Sequence, residues 1–164
     1  MMSSKPRTLG VLGGMGPMAT VDFLHKLTAA TPAERDQDHV PLVVHFCSHI
    51  PDRTDALIGR GPSPVPGLLA AARDIERSGA QALVMPCNTA HAWYDDIAAS
   101  LTIPVLHIAD AAIEAIPRQL REAPVGILAT QGTLRSGVYS KRQGTRSWLV
   151  PSDEVTERQV MPAI

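Results

Sequence analysis

Short apolar runs recur along this chain, and each is released into a turn of glycine or small polar residues before a stretch that reads as a helix. The runs fall at residues 8–12, 42–47, 82–85, 103–108, 124–128 and 147–150. They are continuous rather than alternating, so both faces of each strand must be covered. That is the signature of a parallel sheet with helices on both sides, because the crossovers between parallel strands are themselves helices. Helices are predicted at 18–30, with Val21, Leu24 and Leu27 on one face, at 68–77, 92–101, 111–121, with Asp110 as its N-cap, 134–139 and 153–160. The fold class is therefore α/β, a doubly wound, mostly parallel sheet with helices on both faces. Right-handed crossovers place the carboxyl end of every strand on one edge. A flavodoxin-like order, 2-1-3-4, would gather the first three of the following loops around one crevice.

Composition narrows the functional classes. A chain of 164 residues fits one domain by default and can bury roughly 70% of its unfolded surface. Its net charge of -1 and the lack of a Lys/Arg cluster argue against nucleic acid. No stretch reaches the ~20 apolar residues of a membrane span. Lys5 and Arg7 precede the first apolar run as in a signal peptide, but Gly13, Gly14, Gly16 and Pro17 interrupt it, so it reads as strand and turn. Two cysteines, Cys47 and Cys87, make no disulfide framework and fit a reducing, cytoplasmic compartment.

The chemistry-bearing residues cluster in the loops assigned to the shared edge. Gly13-Gly14-Met15-Gly16-Pro17 turns the first strand into a helix, with Pro17 at a first helical position. Such a turn cradles an anion or allows tight strand–helix packing. Its spacing is not that of a dinucleotide or P-loop site. Arg53, after the second strand, suits a carboxylate through two parallel hydrogen bonds, or pairs with Asp52 or Asp55 on the surface. A glycine- and proline-rich segment, 59–67, follows as a loop or lid. Met85-Pro86-Cys87-Asn88-Thr89-Ala90-His91 leads from the third strand to a helix. A thiol there ionises more readily than a free one, whose pKa is ~8.5, because the first helical N–H groups favour an anion. The ordinary alternative is a small buried residue. Asn88, Thr89, Thr130 and Thr133 are neutral donors for a small polar ligand, or loop and cap residues. His49 and His91 are ligands, acid/base groups or simply hydrogen-bonded side chains. No cluster has metal-ligand spacing, and no lysine in these loops would hold pyridoxal phosphate, so no cofactor and no metal are expected.

Four stretches in order, 12–17, 50–54, 85–91 and 128–133, resemble the motifs of the aspartate/glutamate racemase family, closest to its aspartate racemase branch. The resemblance runs from residue 8 to about residue 139. It implies an isomerase of amino-acid metabolism: a cofactor-independent racemase in which two cysteines work on opposite faces of an acidic amino acid, aspartate first. It makes Cys87 one of the two and places Met15, Gly16, Pro17, Arg53, Asn88, Thr89, Thr130 and Thr133 around the substrate. It suggests a homodimer, an N-terminal domain at 1–107 and the start of a pseudo-symmetric second domain at 108–164. The family's second cysteine lies in a Gly-Cys-Thr-Glu stretch that does not occur before Ile164, so a C-terminally truncated member is expected. The alternatives are a single-cysteine decarboxylase or isomerase of the same superfamily, and an inactive or truncated acid-binding domain.

Overall fold

A computed structural model describes residues 7–120, 123–142 and 147–164. Among the described residues, five strands and seven α-helices follow in the order β1 (Leu9–Gly13), α1 (Pro17–Ala30), β2 (Leu42–Phe46), α2 (Arg53–Leu57), α3 (Val65–Arg77), β3 (Ala82–Val84), α4 (Tyr94–Ala99), α5 (Ile108–Glu114), β4 (Val125–Gly126), α6 (Gln131–Ser136), β5 (Trp148–Leu149) and α7 (Asp153–Val155). These elements form two compact units. The first holds residues up to Ile50, Val65–Cys87 and Tyr94–Leu106. The second holds Pro51–Pro64, Asn88–Trp93 and His107–Ile164.

The first unit is built on a parallel sheet in the order β2-β1-β3. Register and glycine positions identify its two faces. A Cβ on Gly13 would lie 2.4 Å from Thr20 of α1, whereas one on Gly10 would lie 2.3 Å from Ile75 of α3. Side chains alternate along a strand, so α1 covers the face of residues 9, 11 and 13, and α3 covers the other. Both faces of β1 thus meet a helix, while Leu42, Val44 and Phe46 of the edge strand β2 stay exposed. Leu68, Ala71, Ala72 and Ile75 give α3 one buried stripe, spaced at helical intervals. With Leu12, Leu83 and Ile97 they form a core in which each large side chain is worth about 1.5–3 kcal/mol.

The structure corrects several local expectations. On α1 the fully buried side chain is Thr20, while Val21 is exposed and Leu24 and Leu27 are half-buried. Thr20 is held inside because its Oγ1 accepts the Gly14 N–H at 2.8 Å and donates to the Gly16 carbonyl. The fourth apolar run makes only a single parallel bridge, Leu83 to Val105. Pro104 lacks the N–H a longer ladder needs, and α5 begins at Ile108. The helix after Cys87 opens as a 3-10 turn, Thr89–Trp93, before α4. Arg53 begins a short helix where a loop was expected.

The second unit contains a β4-α6-β5 crossover with β4 and β5 paired in parallel. Ala109, Ile113 and Val138 form its small core, with Ile108, Tyr139 and Trp148 packed against them. The structure also replaces the cap of α5. Asp110 was the expected N-cap, but the cap is His107, whose Nδ1 accepts the Ala109 N–H at 3.1 Å. Asp110 lies in the first turn and is held by the Arg142 guanidinium, which keeps its carboxyl below the usual range. Pro117 follows the end of α5, three residues after Glu114, in keeping with proline's exclusion from a helix interior.

One ionised side chain ties α3 to the segment after α4. The Glu76 carboxylate accepts from Thr102 Oγ1 at 2.7 Å, Thr102 N–H at 2.7 Å and Ile103 N–H at 3.2 Å. These bonds, the Thr102 hydroxyl foremost, hold its pKa below the ordinary value. A native pKa below the unfolded one of ~4.3 gives stability that is present above that value and lost as pH falls through the native one. Glu76→Gln is therefore expected to lower Tm at neutral pH, with the gap to wild type closing as the medium is acidified through the carboxylate range. A gap of constant size in thermal melts across that range would contradict this role.

Candidate active site

The turn after β1 is fixed by its backbone. Gly14 has φ +85°, and a Cβ there would stand 2.5 Å from the backbone nitrogen of Cys47. Only glycine fits, since both the left-handed conformation and the close approach exclude a side chain. The Cys47 N–H in turn donates to the Gly13 carbonyl at 2.9 Å. Met15 is buried beyond this turn, and Gly16 and Pro17 are exposed.

The two cysteines end different strands. Cys47 lies just past β2 and is buried. Burial, reinforced by the negative charge of Asp74, pushes its thiol pKa up. Cys87 is also buried, and follows β3 through a tight turn in which its N–H donates to the Met85 carbonyl at 2.8 Å. It precedes Asn88 and the 3-10 turn.

The second unit gathers the polar candidates from the other motifs. Thr89, Thr130 and Thr133 form a triangle of hydroxyls, with Oγ1 separations of 2.8, 3.0 and 3.0 Å. Thr89 and Thr133 are buried. Thr130 also caps α6 by accepting the Thr133 N–H at 3.1 Å. Gly132 makes the triangle possible: a Cβ there would be 2.8 Å from Thr89 Cγ2 and 3.1 Å from Thr54 Cα. The approach packs α6 closely on α2 and on the 3-10 turn. Arg53 is the first residue of α2, capped by Asp52, and its Nη1 donates to the Pro51 carbonyl at 2.9 Å.

Two further side chains acquire definite roles. His91 is buried, and its Nε2 accepts the Ile108 N–H at 3.1 Å. An accepting nitrogen carries no proton, so in this arrangement His91 shares the capping of α5 with His107. Their rings meet edge-on at 4.7 Å. His49, by contrast, is exposed. Tyr139 was absent from the residues singled out in the sequence. Its hydroxyl donates to Asn88 Oδ1 at 2.7 Å across 51 residues of chain. No local spacing reports such a contact.

Among the described residues, no group of three or more His, Cys, Asp or Glu could hold a metal ion, and no helix is long and apolar enough to cross a membrane. Among these polar candidates of the second unit, the Asn88 amide and the Arg53 guanidinium are groups suited to a small anionic ligand.

A parallel α/β scaffold with polar residues gathered after its strands defines the class, and comparison with known proteins defines the family. A model of the Asp/Glu/hydantoin racemase family matches residues 12–162. Over 137 residues the chain is 31% identical to the broad specificity amino-acid racemase RacX of Bacillus subtilis (strain 168), covering 81% of this chain and 59% of that protein. The solved structure of Picrophilus torridus aspartate racemase superposes with a TM-score of 0.80 at 32% identity, covering 93% of this chain and 65% of that one. An aspartate racemase homologue from Pyrococcus horikoshii gives a TM-score of 0.70 at 25% identity, covering 96% of this chain and 69% of that one. The chain belongs to the Asp/Glu/hydantoin racemase family. It spans 59% of the length of RacX and 65% of that of the Picrophilus enzyme.

The hydroxyl triangle generates a stability test. Thr133→Val keeps the side-chain shape but removes one vertex, leaving the buried Thr89 hydroxyl a partner short. Urea unfolding is expected to show a loss of about 1–3 kcal/mol, the usual penalty for an unmade buried hydrogen bond. No loss would mean that the triangle does not anchor this segment.

Proposed function

We propose that this chain carries one proton-transfer group, Cys87, of a cofactor-independent amino-acid racemase, with aspartate the preferred substrate and the family's second cysteine not present in these residues. One observation carries the reading. The two residues that follow Cys87 are held by later segments of the chain: Thr89 by Thr130 and Thr133 of the 128–133 motif, and Asn88 by Tyr139 beyond it. The residues singled out by four separate motifs thus include a firmly held polar set adjoining a cysteine in the chain.

The chemistry follows from the groups. Cys87, as thiolate, removes the Cα proton: the C–H bond breaks, an S–H bond forms, and the electron pair passes into the carbanion and its α-carboxylate. That carbanion is costly, so fixed donors must oppose the charge as it grows. Arg53 supplies a guanidinium for a carboxylate. Asn88 supplies a neutral NH2 donor, Thr89, Thr130 and Thr133 flank the substrate with their hydroxyl protons shared inside the triangle, and Met15, Gly16 and Pro17 complete the substrate contacts. Inversion then needs a proton on the opposite face, for which solvent water is the source within this chain, while the proton held on Cys87 returns to solvent. Cys47 is a poor donor for that step and a poor base, because burial and Asp74 keep its thiol protonated. A base works best with a pKa near the working pH. The same reading has the enzyme cytoplasmic and a homodimer.

Chiral chromatography of L-aspartate incubated with the protein tests the reading. Cys87→Ala is expected to lower D-aspartate formation at least ~100-fold, the scale of a lost general base. Cys47→Ala is expected to leave the rate close to wild type. Racemisation that survives Cys87→Ala, or that depends on Cys47 alone, would overturn the assignment.

A further inference from the structure

An asparagine amide can turn either its carbonyl or its NH2 group toward a ligand. Only the NH2 group helps to bind a carboxylate. Asn88 is the sole asparagine of the chain. Its Oδ1 is taken by the Tyr139 hydroxyl at 2.7 Å, and among the described residues no acceptor is bonded to its Nδ2.

The tyrosine that holds it is itself held. Its ring meets Trp148 edge-on, with centroids 5.8 Å apart, and packs against Ala109, Ile113 and Val138. An aromatic pair of this geometry resists reorientation. A phenol gives up its hydrogen-bonding proton more readily than it accepts one, since the ring draws on the oxygen lone pair. Burial also pushes the Tyr139 pKa up, so the hydroxyl keeps its proton. The reversed amide would exchange this bond for a weaker one and would turn a carbonyl oxygen toward an anion.

We infer that Tyr139 is a positioning residue: its hydroxyl, donating to Oδ1, fixes the Asn88 amide so that its NH2 group is presented to a ligand carboxylate. This inference rests on the reading of Asn88 as a substrate donor. It adds to that reading the residue that sets the donor's orientation. Tyr139 makes no contact with the reacting atoms in this scheme and acts through Asn88.

The test uses asparagine-selective 15N labelling, which gives one side-chain NH2 signal pair because the chain has one asparagine. Tyr139→Phe keeps the ring and its contact with Trp148 and removes only the hydroxyl. Without ligand, the variant is expected to move both amide proton signals and to speed their interchange, at a Tm close to wild type. With L-aspartate, the wild-type pair is expected to shift on binding, and Tyr139→Phe is expected to weaken affinity about three- to tenfold, the worth of one hydrogen bond. In an Asn88→Ala background the same Tyr139→Phe change is expected to cost nothing further, which a general loss of packing would not reproduce. Unchanged signals without ligand would overturn the inference. So would aspartate binding equally well to wild type and Tyr139→Phe, and that result would leave the functional reading standing. Wild-type protein that gives no response to aspartate would overturn the functional reading, while the ligand-free comparison would still decide whether Tyr139 fixes the amide.

Discussion

The polar set of the second unit is organised by the contact among the hydroxyls of Thr89, Thr130 and Thr133. A segment that leaves a strand with small polar residues has little of its own to hold it. Here Thr89 is fastened to α6 by two hydroxyls, and Asn88 is fastened to Tyr139. Fastening matters because a donor that must be ordered at the moment of binding spends affinity on that ordering. Gly132 is the enabling residue. It has no side chain to keep α6 away from Thr89 and Thr54.

The two cysteines share a residue type but not an environment. Both are buried and both follow strands. Cys47 lies beneath the Gly14 turn, with its N–H donated to Gly13 and its thiol disfavoured as an anion by burial and by Asp74. Cys87 precedes Asn88 and Thr89, whose side chains are polar and fixed. Within the family, the chain's assignment of chemistry to Cys87 thus rests on its neighbours and on a motif, not on thiol chemistry common to both residues.

Periodicity and glycine spacing made the scaffold legible. Continuous apolar runs gave β1, β2 and β3 nearly to the residue, and their composition required helices on both faces. Thr89, Thr130 and Thr133 were legible as polar residues at strand ends, but not as a triangle, because their partners lie 41 and 44 residues apart. The caps of α5 were misread for a related reason. Asp110 is a good cap by type, yet the helix starts two residues earlier, and two imidazoles from different parts of the chain reach its N–H groups. Tyr139 was invisible because it acts through a single contact 51 residues away. Local pattern reports local structure, and a site made by distant segments appears only when they are folded together.

The most direct measurement of the central claim is exchange of the Cα proton of aspartate in D2O, followed by NMR with the L and D enantiomers supplied separately. Deuterium incorporation by wild-type protein that disappears in Cys87→Ala is the expected result. Incorporation undiminished by that substitution would contradict the assignment of Cys87 as the group that moves the proton.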